Sequence, residues 1–184
     1  MKLLRRVAQS CAAISFVTAA FANADTIFSS MPPRTSPNAG GMVIGASRGN
    51  TQSLADPFIP SHDFILNGAS VAVLRNSGTA ALNIAVWSDL NGKPGAALET
   101  AMFPAASVSR NAYPPTIASV RFSFGTRLDA GTTYWLVVST ATGTDYCWLD
   151  SALVAWRGQR NNEGWTSSGP PRGHAFEVIG QAVR

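Results

Sequence analysis

Gly45-Ala46-Ser47-Arg48-Gly49 has the G-x-S-x-G spacing of a nucleophile elbow. That motif works where a strained turn from a strand into a helix lifts the serine hydroxyl beside the next backbone N–H. The residues beyond it run to Pro57 without helical periodicity. A glycine-rich β-turn is therefore expected, and a serine hydrolase acting through Ser47 is the least favoured function. The two histidines are His62, next to Asp63 in a Pro-Ser-His-Asp sequence, and His174, at the start of a strand-like run. Triad members meet in space, so a Ser-His-Asp set stays open on sequence grounds, but surface positions are expected for both histidines. Two histidines and Cys147 without close spacing make no zinc ligand set. Asp89 and Asn91 before Gly92 resemble a calcium-loop fragment, yet Lys93-Pro94 breaks the series and Glu99 falls at the wrong offset. No catalytic residue, metal or cofactor is expected.

The tryptophans offer binding chemistry instead. The stretch 156–165, from Trp156-Arg157 through Asn161-Asn162 to Gly164-Trp165, combines indoles, guanidinium groups and planar amides, the groups that bind sugars and extended polymers. Trp156, Arg157, Asn162 and Trp165 form the candidate ligand set for a glycan or surface polymer. The competing expectation is a solvated hairpin that its tryptophans pin to a sheet. Trp87 and Trp135 fall on the less apolar faces of their strands, where they would form a platform for an envelope protein or lie beneath a loop such as 25–40. Burying one tryptophan is worth about 4–6 kcal/mol, and monomers seldom expose large apolar patches. Cover is the expectation.

The elements that must position these groups are short strands. Candidates are 42–46, 52–59, 63–66, 69–75, 80–88, 97–103, 116–124, 132–140, 144–149, 152–156 and 174–181, preceded by Thr26-Ile27-Phe28 and a proline-rich loop. Leu82, Ile84 and Val86 share one face, as do Val120, Phe122 and Phe124, and Tyr134, Leu136 and Val138. Asp89, Gly92, Pro94, Gly95 and Gly131 are turn positions, where side-chain carboxylates bond local backbone and glycines accept positive φ. One-sided strands without a crossover helix predict an all-β fold, a two-sheet antiparallel β-sandwich of jelly-roll-like form.

The order "ADPF" (55–58), "VAVL" (71–74), "LNIAVWSDLNGKPGAAL" (82–98), "RFSF" (121–124) and "LDAGTTYWLVVS" (128–139) resembles the choice-of-anchor R type domain of bacterial exported and surface proteins. The resemblance spans roughly residues 26 to 181 on the scale of one sandwich-sized domain. It implies an extracytoplasmic sandwich without a known catalytic centre. Members commonly end in a sorting signal, which this chain lacks, so a free periplasmic or secreted protein is expected.

The N-terminus supports export. Lys2, Arg5 and Arg6 precede an apolar stretch from Cys11 to Phe21, and Ala22-Asn23-Ala24 has the small-x-small pattern of a cleavage site. This reads as a signal peptide over 1–24, too short in its apolar run to span a bilayer. The expected domain plan continues with a strand and proline-rich loop over 25–40 and the sandwich over 41–184. No transmembrane segment is expected in the processed chain. The formal charge of +4 falls to +1 once the three basic leader residues are removed. The remaining arginines are scattered, so nucleic-acid binding is not expected. Cys147 is then the sole cysteine, expected as a small buried hydrophobe.

Overall fold

The computed structural model describes residues 24–31, 40–47, 50–111, 113–151, 157–161, 164–168 and 173–184. Among them the strands are β1 (Asp25–Ser29), β2 (Gly41–Ser47), β3 (Asn50–Phe58), β4 (Phe64–Ser77), β5 (Leu82–Asp89), β6 (Pro94–Phe103), β7 (Thr116–Arg121), β8 (Arg127–Leu128), β9 (Tyr134–Thr140), β10 (Asp145–Leu149), β11 (Arg157–Asn161), β12 (Gly164–Ser168) and β13 (Phe176–Ala182). One short 3-10 turn, Ala105–Ser107, is the helical element among them. The fold is all-β, and the named strands pair antiparallel into a curled, sandwich-like sheet.

Two layers follow from the pairing. One runs β1-β13-β4-β10-β2, with β7 and β8 on the opposite edge of β4; the other runs β3-β9-β5-β6, with the β11–β12 hairpin added to β3. Strand β3 passes between them, its first residues paired with β2 (Thr51 with Ala46) and its later ones with β9 (Leu54 with Val138). Such corner strands let one twisted sheet fold over itself. The expected alternation holds at the centre: Leu82, Ile84, Val86, Leu136 and Val138 are all fully buried, in one core with Leu66, Val71 and Val73 of the facing layer. Each such side chain contributes about 1.5–3 kcal/mol by leaving water.

Two expectations are corrected. The separate strands 63–66 and 69–75 are one strand, β4, because Gly180 pairs with Leu66 and Ile179 with Gly68, leaving Asn67 as a bulge. A bulge absorbs one unpaired residue without ending the ladder. The shared face of Val120, Phe122 and Phe124 holds for the first two, which pack on the main core, and fails at the third: β7 stops at Arg121, and Phe124 is 85% exposed. The cause is Glu99 on β6, 2% exposed, whose carboxylate accepts the Phe124 and Thr126 amides at 3.3 and 3.1 Å and the Thr126 hydroxyl at 3.0 Å. Those bonds turn the chain out of strand geometry. The 156–165 stretch contributes to a paired hairpin, one of its two expected forms, with Arg157 opposite Ser168 and Arg160 opposite Trp165. The expected strand 152–156 lies outside the described residues.

Candidate functional site

The site is built where β10 and β13 meet end to end along β4. Trp148 pairs with Val73 and Phe176 with Val71, while β7 pairs with both valines from the opposite side. At the junction Ser151 N–H donates to Gly173 O and Ala175 N–H to Leu149 O, each at 2.8 Å, and Asp150 forms a bridge with His174. This seam sets His174 inside the protein, 0% exposed, which overturns the expectation of a surface position. Its ring stacks on Trp148 with centroids 4.4 Å apart and planes 16° from parallel, and Trp148 Nε1 donates to Ala175 O at 3.1 Å.

Asp56 reaches the same point from β3. It shares strand parity with Leu54 and Phe58, so the pleat turns its carboxylate inward with them; it is 1% exposed. One oxygen accepts the His174 backbone N–H, and the other lies 2.9 Å from His174 Nδ1. An ionised carboxylate only accepts, so opposite one Nδ1 carries a proton. Nε2 is buried and has no hydrogen-bond partner among the described residues. Ser30, following β1, ties the third strand in: its hydroxyl donates to His174 O at 2.6 Å and accepts Phe176 N–H at 3.0 Å.

A cavity of about 640 Å³ adjoins this group. Phe28 and Ser30, Pro57 to Ile59, Thr133 and Trp135, Ser151, and Gly173, His174 and Phe176 contribute to its walls, and the β5–β6 turn adds Asp89 and Gly92. The volume lies in the range of small-ligand sites. Its described lining holds two carboxylates, Asp56 and Asp89, and no lysine or arginine. The turn itself is as expected: Asn91 and Gly92 both have positive φ, 55° and 76°, and Leu90 and Lys93 exchange backbone hydrogen bonds. This is the two-residue hairpin connection that Asn-Gly favours. Asp89 Oδ2 accepts Gly92 N–H at 3.0 Å, while Oδ1 accepts Trp135 Nε1–H at 2.8 Å. Pro94 pairs with Asp89 at the base of the turn, and a side chain at Gly95 would press on Leu90 and Ser88 at 3.0 Å. Gly131, φ 71°, closes the turn before β9 and donates to Pro60 O at 2.9 Å.

The structure gathers three tryptophans outside the main core. Trp135 is 5% exposed and forms a small cluster with Ala55 and Val137, against which Trp87 and Trp165 pack. Trp87 and Trp165 meet edge to face at 6.1 Å. The Trp87/Trp135 face is therefore covered by the β11–β12 hairpin, through Trp165, and is not an open platform. Of the sugar-binding set, Trp156 and Asn162 lie outside the described residues, Arg157 begins β11 opposite Ser168, and Trp165 is the half-buried pin. Ser47 ends β2 opposite Asn50 of β3. The G-x-S-x-G motif thus lies at a strand–strand connection and lacks the strand-to-helix turn an elbow needs.

His62 is exposed, in contact with the Ser61 hydroxyl at 3.0 Å. Asp63 accepts the Ala130 amide at 2.8 Å and Arg127 at 2.6 Å, and these bonds, the backbone one foremost, hold its carboxyl below the usual range. Burial, and then the charge of Asp150, pushes the half-buried Cys147 thiol up, away from the reactive thiolate. Among the described residues no three metal-binding side chains cluster, and no helix is long and apolar enough to cross a membrane.

Asp56 is the residue sequence reasoning passed over. Its signal was a lone carboxylate in the apolar run Leu54-Ala55-Asp56-Pro57-Phe58, as His174 stands beside Ala175-Phe176. Ionisable groups inside apolar strands are buried only when partnered. Scans against models of protein families, curated proteins and solved structures find no match to this chain.

Proposed function

We propose that this chain is an exported, non-enzymatic β-sandwich module that binds a glycan or other surface polymer by its end, in the cavity beside His174. The observation that carries this reading is an apolar cavity of ligand size, walled by Phe28, Phe58, Ile59 and Trp135. Export is supported by the basic, apolar and Ala22-Asn23-Ala24 pattern of the leader and by the resemblance to choice-of-anchor R type domains. A binding role is preferred to catalysis because, among the described residues, no hydroxyl or thiol stands within hydrogen-bond distance of Nε2 to form a base–nucleophile pair. The cavity is preferred to the hairpin as the ligand site because Trp165 packs against the Trp135 cluster and meets Trp87 edge to face.

Processed protein applied to a glycan array tests this. Thr133→Trp, which fills the cavity from a half-exposed wall position, is expected to reduce binding by at least about tenfold, a loss of about 1.4 kcal/mol. Trp165→Ala is expected to leave it within about twofold. Binding that persists in Thr133→Trp and disappears in Trp165→Ala would return the site to the hairpin.

A second reading, a structural or protein-interaction domain, is favoured by one observation. Phe124 is 85% and Met102 69% exposed, with Met102 on β6, the last strand of its layer, and Phe124 held beside that strand by Glu99. Unpaired edges and exposed apolar side chains invite partners. If this surface drives self-association, sedimentation of the wild type depends on concentration and that of Phe124→Ser/Met102→Ser does not, with Tm unchanged within about 2 °C. A wild type monomeric at every concentration removes self-association.

A further inference from the structure

Resting on the cavity-binding reading, we infer that the part of the ligand that enters the cavity is an aliphatic chain, an acyl or alkyl group carried at the end of a glycan or other polymer. The polar groups of the described lining are largely committed to the fold. Asp56 uses both oxygens on His174, and the Ser30 hydroxyl donates to His174 O and accepts Phe176 N–H. Trp135 Nε1–H is held by Asp89, whose other oxygen accepts Gly92 N–H. Asp56, Ser30 and His174 are also buried. A ligand rich in hydroxyls would leave water for few new partners on these walls, and each group left unpaired is costly. A hydrocarbon chain makes no such demand.

The aromatic walls favour a chain over a ring. An aryl group, like the C–H face of a sugar, gains most from an open aromatic face. Here the rings meet one another. Phe28 stacks on Phe176 with centroids 4.9 Å apart, and Phe58 makes tilted or edge contacts with Phe28, Tyr134 and Phe176 at 6.2, 5.9 and 6.4 Å. Phe58, Phe176 and Trp135 are 2%, 1% and 5% exposed, so little of their faces remains to stack on. What the cavity offers is dispersed apolar contact, from half-buried Phe28 and Pro57 and from Ile59, which is 55% exposed. Contact of that kind is non-directional and grows with the apolar area removed from water, which suits a flexible chain.

The test titrates ¹⁵N-labelled processed protein with methyl, butyl, hexyl and octyl β-D-glucosides below their micelle concentrations, and with phenyl β-D-glucoside, following backbone and indole ¹H–¹⁵N correlations. The sugar is constant, so only the group attached to it varies. Affinity is expected to rise about two- to fourfold per added methylene, the scale of burying one CH₂ group, with saturable shifts at Phe28, Ile59 and the Trp135 indole. Ile59→Asn, a change at an exposed position, is expected to weaken hexyl glucoside at least about threefold, and Thr133→Trp to abolish the dependence on chain length. Equal affinity from methyl to octyl, with shifts at the cavity, overturns the chain and leaves the cavity as a sugar site. Phenyl glucoside binding more tightly than octyl overturns the chain in favour of an aromatic group. A chain-length dependence that survives Thr133→Trp puts the hydrocarbon elsewhere on the protein and overturns the inference. If no glucoside binds, array binding lost in Thr133→Trp overturns the chain alone, and array binding untouched by Thr133→Trp overturns the cavity reading with it.

Discussion

Replacing Asp56 by alanine is expected to lower the unfolding free energy by about 3–5 kcal/mol, the range for removing one partner of a buried pair. The residue is 1% exposed and its two oxygens satisfy two donors of His174, a fully buried residue. Without the carboxylate, a backbone N–H and a ring N–H stay in the interior with no acceptor, and water cannot follow them at low cost. The effect spreads beyond the pair, since His174 joins the β10–β13 seam to β1 through Ser30 and to Trp148 through stacking. Asp56→Asn separates polarity from shape. Its amide oxygen can still accept the backbone N–H, but its NH₂ group then faces Nδ1 and draws the ring proton to Nε2. This variant is expected to lose about half as much stability and to move the ring proton to Nε2 while the fold survives. Urea denaturation followed by tryptophan fluorescence measures the first effect, and ring ¹⁵N shifts the second. A loss under about 1 kcal/mol in Asp56→Ala would mean that the network is incidental to the fold.

How much of this was legible beforehand depends on the range of the interaction. Period-two patterning placed Leu82, Ile84, Val86, Leu136 and Val138 in the core, because a pleated strand converts spacing directly into face. The turns at Asn91-Gly92 and Gly131 were equally legible, since their chemistry is local. Trp135 and Val137 were harder: β9 is buried on both faces, and the second cover comes from a hairpin about 30 residues downstream that no pattern within β9 announces. Phe124 failed for a related reason. Its exposure is imposed by Glu99, 25 residues away, whose buried carboxylate outweighs the local alternation. The site lies at the far end of this scale. Asp56 and His174 are 118 residues apart and meet only because β3 and the β10–β13 seam pack face to face. Each alone reads as a polar residue near a strand end, and only the folded layers make them a pair.

Gly45→Ala is the other substitution expected to act strongly, and it bears on the nucleophile-elbow motif. Gly45 sits in β2 with φ 107°, and a methyl group there would overlap the Thr144 carbonyl oxygen and press on Thr140 Cγ2 at 2.9 Å. The obstacle cannot retreat. Thr144 is 2% exposed, and its hydroxyl accepts the amides of Thr79 and Ala80 at 3.1 and 2.9 Å, locking the turn before β10 to the one before β5. Backbone strain and overpacking therefore add, for an expected loss of about 3 kcal/mol or more. Gly143→Ala is the control: its φ is also positive, 84°, but nothing stands within 4 Å of the added carbon, so only the conformational cost of about 1–2 kcal/mol remains. Thermal unfolding of both variants separates the two terms, and equal losses would show that the clash with Thr144 relaxes freely. The first glycine of Gly45-Ala46-Ser47-Arg48-Gly49 is thus required by the close passage of the Thr144 backbone. A residue type demanded by packing carries no information about a hydroxyl two positions away, so the G-x-S-x-G spacing lends Ser47 no catalytic weight.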